Sequence, residues 1–204
     1  MARPSQDPQI RITEILDTAE HLFTVKGYFG TTVSDIAKKM GVTQGMFYYY
    51  FKSKEEILEA LLNRQTEVFV SEIKDMVGSS SLPSEKLSFM ISTIIKNVRL
   101  SGEEMFNAIN HEQNLHIKHK LTREVKASLT PWGLKIIEEG RLQHEFNLSH
   151  SQTILSFIML IIDFLIDALY EKLPDDLLSL RIRLAESLVE KAVGLPEGKI
   201  HILL

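Results

Sequence analysis

Residues 31–58 read TTVSDIAKKMGVTQGMFYYYFKSKEEIL, and this stretch decides the fold of the chain. It predicts a short helix that begins after Thr32, whose hydroxyl can cap the free amides of the next turn with Asp35 as the acidic partner. Gly41 follows as the residue that bends most easily into a left-handed turn, and Thr43 caps a second short helix. Two helices joined by so short a turn form a helix-turn-helix.

The second short helix, predicted over residues 44–51, has an inner and an outer face. Phe47 and Phe51 lie four positions apart, so they point together toward the first helix and its apolar side. Three consecutive tyrosines cannot all point inward from one helix. The side chains left largely outward are those of Gln44, Met46, Tyr48 and Tyr49.

This outer face suits the major groove of DNA, where glutamine pairs with adenine edges and aromatic carbons contact thymine methyl groups. Hydroxyl and ammonium groups surround it at the positions where phosphates would lie. These groups belong to Thr32, Thr43, Tyr48, Tyr50, Lys52 and Lys54. Taken alone, Lys52 is typical of a solvated surface charge.

The block GVTQGMFYYYFKSKEEIL, preceded by TTVSDIAKKM and by a helix that ends VKGYFG, resembles the DNA-binding domain of the tetracycline-repressor (TetR) family. The resemblance covers about the first quarter of the chain. It implies an all-α fold, in which a three-helix DNA-binding domain is joined by a long shared helix to a helical ligand-binding and dimerisation domain. The remainder matches the family in being helical and of suitable length.

The resemblance also implies roles for single residues. Those expected at base edges are Gln44, Gly45, Met46 and Tyr49, with Ser34 as a further reader. Those expected at phosphates are Thr32, Thr43, Tyr48, Tyr50 and Lys54. This sequence departs from the family at Tyr50, where a histidine is common, and at Met46, where a polar or small residue is often found.

Charge divides along the chain in the same way as the motif. Residues 1–54 carry seven Lys+Arg and five Asp+Glu, a net +2, which leaves 16 basic and 22 acidic residues, a net -6, for the remainder of a chain of net charge -4. We therefore predict a DNA-binding domain over residues 1–54 and a ligand-binding and dimerisation domain over 55–204. A chain with no Cys has no disulfide bond and no thiolate metal site, and is compatible with a reducing cytoplasm.

Helical periodicity predicts the remaining elements. Residues 1–9 are expected to form an arm from which Arg3 could reach a minor groove. Helices are expected over residues 10–27, 54–77, 85–100, 102–116, 122–143 and 175–193. Within 122–143, Pro131 predicts a kink, or a restart capped by Thr130, because proline lacks a backbone donor.

A further helix, over residues 150–172, contains TILSFIMLIIDFLIDALY and is apolar almost all round. A membrane span is disfavoured because Asp163 and Asp167 lie near its middle and no basic flank marks a cytoplasmic side. Burial against the final helix and the same pair from a second copy is favoured instead. We therefore predict a homodimer through residues 150–193, whose two-fold symmetry matches a palindromic operator.

The effector is the least determined feature. The residues that could line an apolar cavity with a sparse polar contact are Phe89, Ile94, Phe106, Asn110 and Trp132. A filled core is the alternative for each of them, and the family resemblance is the chief reason to expect a cavity. Spacing of His111, His116 and His119 does not favour a metal site, so neither a metal nor a cofactor is expected.

Two classes of function remain. One is a dimeric transcription regulator, a repressor that leaves its operator when a small molecule binds. The other is a helical carrier or enzyme with a vestigial DNA-binding head. The outward Gln44, Tyr48 and Tyr49 favour the first, since a vestigial head has no reason to keep such a face. The sequence leaves open the operator, the effector, activation against repression, and one or two dimers per operator.

Overall fold

The computed structural model describes residues 7–171 and 173–204. Over these residues the chain forms α-helices and one short 3-10 turn, with no β-strand, which confirms the all-α fold. The helices are α1 Pro8–Lys26, α2 Val33–Lys39, α3 Gln44–Tyr50, α4 Lys54–Val77, α5 Pro83–Leu100, α6 Gly102–Asn110, α7 Leu115–Leu142, α8 Ser151–Tyr170 and α9 Asp175–Val193. The minor-groove interpretation of Arg3 lies outside the described residues.

The helices are grouped into two compact units. The first comprises residues up to Gln65 together with Ser101–Thr122, and the second comprises Thr66–Leu100 with Arg123–Leu204. Helices α4 and α7 therefore contribute residues to both units. The functional division at residue 54 stays a prediction.

The core of the first unit lies between α1, α2, α3 and the beginning of α4. Ile15, Ile36 and Phe47 are fully buried there, one from each of the first three helices, and Leu58 of α4 is buried with them. Helix α6 belongs to the same core through apolar residues that include Ala108. A three-helix head has little interior of its own, so α4 and α6 supply apolar area that it otherwise lacks.

The core of the second unit is built around α8. Its buried residues, among them Ile158 and Leu165, pack with Ile91 of α5 and Val189 of α9. By length and composition α8 could cross a membrane, with a mean hydropathy of 2.1, but a core helix meets the same criteria. We interpret α8 as a core helix because one side of it is buried in this cluster.

Helix α6 is shorter than expected. The prediction of one helix over residues 102–116 is wrong, because α6 ends at Asn110 and a 3-10 turn, Glu112–Asn114, leads into α7. His111 is extended between the two, and its Nδ1 accepts a hydrogen bond from the amide of Gln113 at 3.3 Å. The histidine therefore ends one helix and caps the next turn.

Helix α7 is longer than expected. It runs from Leu115 to Leu142 through Pro131, so the predicted interruption is wrong as far as helix continuity is concerned. The hydroxyl of Thr130 donates to the carbonyl oxygen of Lys126 at 2.7 Å and does not cap a new helix. A hydroxyl bonded back to the preceding turn is compatible with a continuing helix.

Two glycines of α7 allow close packing. A Cβ atom at Gly133 would lie 2.5 Å from Leu155 Cδ1, and one at Gly140 would lie 2.3 Å from Phe146 Cδ2. Both distances are far shorter than an ordinary contact between carbon atoms. These glycines therefore provide the space that Leu155 and Phe146 occupy in the second core.

We expect Gly140→Ala to destabilise the chain by about 1–3 kcal/mol, because the new methyl group overlaps the buried ring of Phe146. Gly45→Ala is the matched control, since its Cβ would have Thr43 Oγ1 at 4.0 Å as its nearest neighbour. Urea unfolding followed by the fluorescence of Trp132, the one tryptophan of the chain, measures the difference. Equal unfolding midpoints for Gly140→Ala and the parent would contradict this packing.

Candidate nucleic-acid interface

Both short helices of the helix-turn-helix are capped as the sequence predicts. At α2 the amide of Asp35 donates to Thr32 Oγ1 at 3.1 Å, and the amide of Thr32 donates to Asp35 Oδ2 at 2.9 Å. At α3 the hydroxyl of Thr43 accepts from the amide of Met46 at 3.3 Å. Gly41 in the turn has φ 68°, the left-handed conformation that favours glycine.

The carboxylate of Asp35 is held in its charged form. The hydroxyl of Thr32 donates to it at 2.6 Å, and Lys26 Nζ lies 3.2 Å from its other oxygen. These hydrogen bonds lower the pKa of Asp35 to about 2, so the cap persists at neutral pH. The first helix of the motif is thereby fixed at its beginning.

The two faces of α3 are as predicted. Phe47 has 0% and Phe51 7% of its surface exposed, and both lie in the core of the first unit, whereas Tyr48 is 51% and Tyr49 81% exposed. Gln44 is also exposed. A tyrosine that is four-fifths exposed contributes little to folding, so α3 presents a surface that packing does not explain.

Helix α3 presents further features that suit an anion or a base edge. Its first turn carries no acidic residue, so the positive end of the helix dipole is not compensated there. Gly45 is exposed and Met46 half-buried. Tyr50 is also half-buried and its ring packs edge-on against that of Tyr49, with centroids 5.0 Å apart, which restricts both rings.

The hydroxyl groups predicted at phosphates differ in their availability. Thr32 directs its proton at the carboxylate of Asp35, so its hydroxyl is committed to the α2 cap. Thr43 accepts a bond from Met46, and that bond leaves the hydroxyl proton able to donate outward. Ser34 is exposed on α2. The phosphate and base contacts of these residues stay predictions.

Lys54 has a structural role that the sequence did not indicate. Its ammonium donates to the carbonyl oxygens of Tyr28 at 2.7 Å and Thr31 at 2.9 Å, and lies 4.3 Å from the centre of the Tyr28 ring. Burial lowers its pKa. Lys54 therefore ties the first turn of α4 to the loop between α1 and α2, and its phosphate contact stays a prediction.

The neighbouring Lys52 differs from Lys54. Its side chain is exposed, and its amide donates to Glu56 Oε2 at 2.7 Å. The amide of Glu56 in turn donates to Ser53 Oγ at 3.2 Å, which is half of a capping box at the beginning of α4. The carboxylate of Glu56 accepts from the amide of Lys52 and not from that of Ser53, which would complete the box. The α3–α4 loop is thus fixed through its backbone while the Lys52 ammonium faces solvent.

The predicted ligand residues are divided between the two units. Phe89, Ile94 and Trp132 pack in the apolar core of the second unit. Asn110 belongs to the first unit, where its amide nitrogen donates to the carbonyl oxygen of Phe106 at 2.8 Å and its oxygen accepts from Lys118 at 2.7 Å. Their role in ligand binding stays a prediction.

No three His, Asp or Glu side chains lie together as metal ligands within residues 7–171 and 173–204. His111 instead packs on Phe29, with ring centroids 4.4 Å apart. His116 and His119 are exposed on α7. The sequence could not have indicated the pairing of His111 with Phe29, because these residues lie far apart along the chain.

Comparison with known proteins gives matches over the same region. Residues 15–61 match the family model of bacterial regulatory proteins of the tetR family. The chain is 29% identical over 120 residues to the fatty acid metabolism regulator protein of Bacillus subtilis, covering 57% of this chain and 61% of that protein. It is 36% identical over 91 residues to the HTH-type transcriptional repressor KstR2 of Mycolicibacterium smegmatis, 44% of each. The chain thus spans about half the length of the curated relatives it matches.

Solved structures match over most of the chain. The regulator FadR from Bacillus subtilis in complex with stearoyl-CoA superposes with a TM-score of 0.64 at 25% identity, covering 93% of this chain and 99% of that one. A TetR/AcrR family regulator from Thermobifida fusca has a TM-score of 0.65 at 22% identity, covering 91% of this chain and 95% of that one, which supports the fold alone.

We expect Lys54→Met to destabilise the first unit by about 1–3 kcal/mol, because the buried carbonyl oxygens of Tyr28 and Thr31 lose their shared donor. Lys52→Met is the matched control and should change stability by less than about 0.5 kcal/mol, since Lys52 is exposed. Denaturant unfolding, with amide exchange measured in α2, compares the two variants. Equal unfolding midpoints for Lys54→Met, Lys52→Met and the parent would contradict the anchoring role of Lys54.

Proposed function

We propose that the chain is a member of the tetR family of bacterial regulatory proteins, and that it is a dimeric transcriptional regulator that binds a palindromic operator and acts as a ligand-released repressor. The observation that carries this proposal is the exposed face of α3. Tyr49 is 81% exposed on this face, while Phe47 and Phe51 are buried on the other side. Two relatives named as repressor and regulator support the class of function.

In this proposal α3 enters the major groove. Gln44 and Tyr49 contact base edges. Gly45 lies so close to the DNA that a side chain at this position would not fit. Thr43, with its outward hydroxyl proton, and Lys52 contact phosphates on the flanks of the groove. A vestigial head is disfavoured because exposed aromatic side chains lower solubility without a partner.

Dimer formation is proposed through α8 and α9. Each carries exposed apolar residues on the side away from the second core, and these residues are Phe157, Leu160 and Phe164 on α8 and Leu177, Leu180 and Leu184 on α9. Their number exceeds the scattered single residues that a monomer exposes. A two-fold pair of such helices forms a four-helix interface and gives the protein the symmetry of a palindromic operator.

We further propose that the effector is a long-chain acyl-CoA. The support is the likeness over nearly the whole chain to FadR, whose structure contains stearoyl-CoA. Release requires that the acyl-CoA bind one dimer geometry more tightly than the other, since equal affinity shifts no population. Helices α4 and α7 run continuously from one unit into the other and are the elements through which such a change could reach α3.

Operator binding is measured by fluorescence anisotropy on the DNA upstream of the coding region, or on sequences selected from a random pool, across a salt series. We expect saturable binding that weakens about tenfold in Tyr49→Ala, the cost of one lost base contact. Lys52→Ala should lower the salt slope by about one, because one phosphate contact is lost.

Lys74→Ala, an exposed lysine of α4 in the second unit, is the control and should bind as the parent does. Gly45→Ala, which the fold tolerates, should weaken binding if Gly45 approaches the DNA. If the selection recovers no preferred DNA sequence, and the parent and Tyr49→Ala bind DNA with equal affinity, the proposal that α3 contacts base edges is contradicted.

Release is measured in the same assay with stearoyl-CoA below its micelle concentration. We expect it to dissociate the operator complex and to change the fluorescence of Trp132, while coenzyme A and stearate added separately leave the complex intact. We expect release to require both parts in one molecule, because the acyl chain and the coenzyme A group contribute binding energy at separate contacts. A complex that persists at saturating stearoyl-CoA would exclude this effector class and leave the DNA-binding proposal unaffected.

A further inference from the structure

The segment that follows α9 is bound along its backbone by side chains of α9. The amides of Lys199 and Ile200 donate to Glu190 Oε1 at 2.7 and 3.0 Å, and the amide of Ile202 donates to Glu186 Oε1 at 2.8 Å. We call residues 199–203 the strap. Three of its five backbone donors are therefore satisfied by two glutamates on one helix.

Side chains of α5 bind the remaining two donors. The amide of His201 donates to Ser88 Oγ at 3.1 Å, and the amide of Leu203 donates to Ser92 Oγ at 2.9 Å. The strap thus connects α5 to α9 directly. Its first two amides bond to α9, and the next three bond to α5, α9 and α5 in turn. An extended segment without sheet neighbours needs such side-chain acceptors for its amides.

The side chains of the strap alternate between buried and exposed positions. Ile200 and Ile202 are 1% and 5% exposed and belong to the second core, whereas Leu203 is 72% exposed. This is the period of two that an extended chain produces. The strap is therefore held by apolar burial on one side and by five hydrogen bonds from its backbone.

The buried carboxylate of Glu190 needs the hydrogen bonds that the strap donates to it. Its residue surface is only 3% exposed, and one of its carboxylate oxygens accepts both the Lys199 and the Ile200 amide. A buried carboxylate is costly unless donors satisfy it, and hydrogen bonds to a charged acceptor are about twice as strong as neutral ones. Displacing the strap would leave this carboxylate without either amide.

The strap contacts α9 on a different side from its exposed leucines. At about 100° per residue, the midpoint of Glu186 and Glu190 lies about 120° around the helix from the midpoint of Leu180 and Leu184. Ala185, Val189 and Val193, which are fully buried, lie next to the glutamates. The helix is thus held on two adjoining sides, and its rotation about its own axis is fixed.

We propose that the strap sets this rotation and thereby holds the α9 leucines in the orientation that a second copy binds. This inference rests on the dimer of the proposed function. Displacing the strap would weaken the dimer, and with it operator binding, although no residue of the strap lies on the exposed face of α3 or among the exposed leucines of α9. The strap is in this sense a positioning element of the dimer surface.

The test is a matched pair of substitutions in neighbouring strap residues of the full chain. Ile202→Ser removes a buried anchor, while Leu203→Ser changes an exposed side chain of the same segment. Sedimentation equilibrium over a concentration series measures the dimer dissociation constant. We expect Ile202→Ser to raise it about tenfold, equivalent to about 1.4 kcal/mol, and Leu203→Ser to leave it unchanged.

A second pair of changes separates a positioning role from general loss of folding. Ile202→Val keeps an apolar side chain in the second core and should keep the parent dissociation constant, while the helical circular dichroism of both Ile202 variants should equal that of the parent. Glu190→Gln, which keeps the shape of the side chain, should raise the constant and the exchange rate of the strap amides together.

The outcomes distinguish this inference from the proposed dimer. A parent that is monomeric, or a Leu184→Glu variant that dimerises as the parent does, would overturn the dimer through α9. A dimeric parent whose dissociation constant is the same in Ile202→Ser and Leu203→Ser, with strap amides exchanging faster in the former, would overturn the strap's role and leave the dimer intact.

Discussion

The burial of Phe47 is the interaction on which the exposed face of α3 depends. Its side chain is fully enclosed by the first core, and Phe51 closes the same side one turn later. A short helix held by two residues four positions apart cannot rotate about its axis without exposing one of them. Every other position of α3 is therefore assigned to a face by these two, and the exposure of Tyr49 follows from the burial of Phe47.

That constraint explains why the head could be predicted well from sequence. Capping residues, a left-handed glycine and an i, i+4 aromatic pair act over a few residues, and their physics is local. The caps at Thr32 and Thr43 were predicted for this reason, and helical periodicity predicted the full extent of α4. The base and phosphate contacts cannot be read in the same way, because they depend on a partner as well as on the chain.

Other features depend on contacts between residues distant in sequence. Periodicity predicts that α6 has an apolar face but not the core that receives it, and Ala108 is buried with residues of the first unit. Lys54 illustrates the same limit. An exposed lysine and one that binds two carbonyl oxygens have identical local sequence signals, so its anchoring of the α1–α2 loop became visible only in three dimensions.

The strap is the clearest case, since the alternation of residues 199–203 does not indicate their partners, and these residues pair with side chains more than a hundred positions earlier in α5. Both ends of the proposed mechanism nevertheless follow one rule. A helix that must present a surface to a partner is fixed on another of its sides by contacts whose loss is costly: Phe47 for α3, and Glu190 with its two strap amides for α9. Such fixing lowers the ordering cost of binding, because the surface is already oriented before the partner arrives. It also means that recognition can be weakened by changes that never touch the recognition surface.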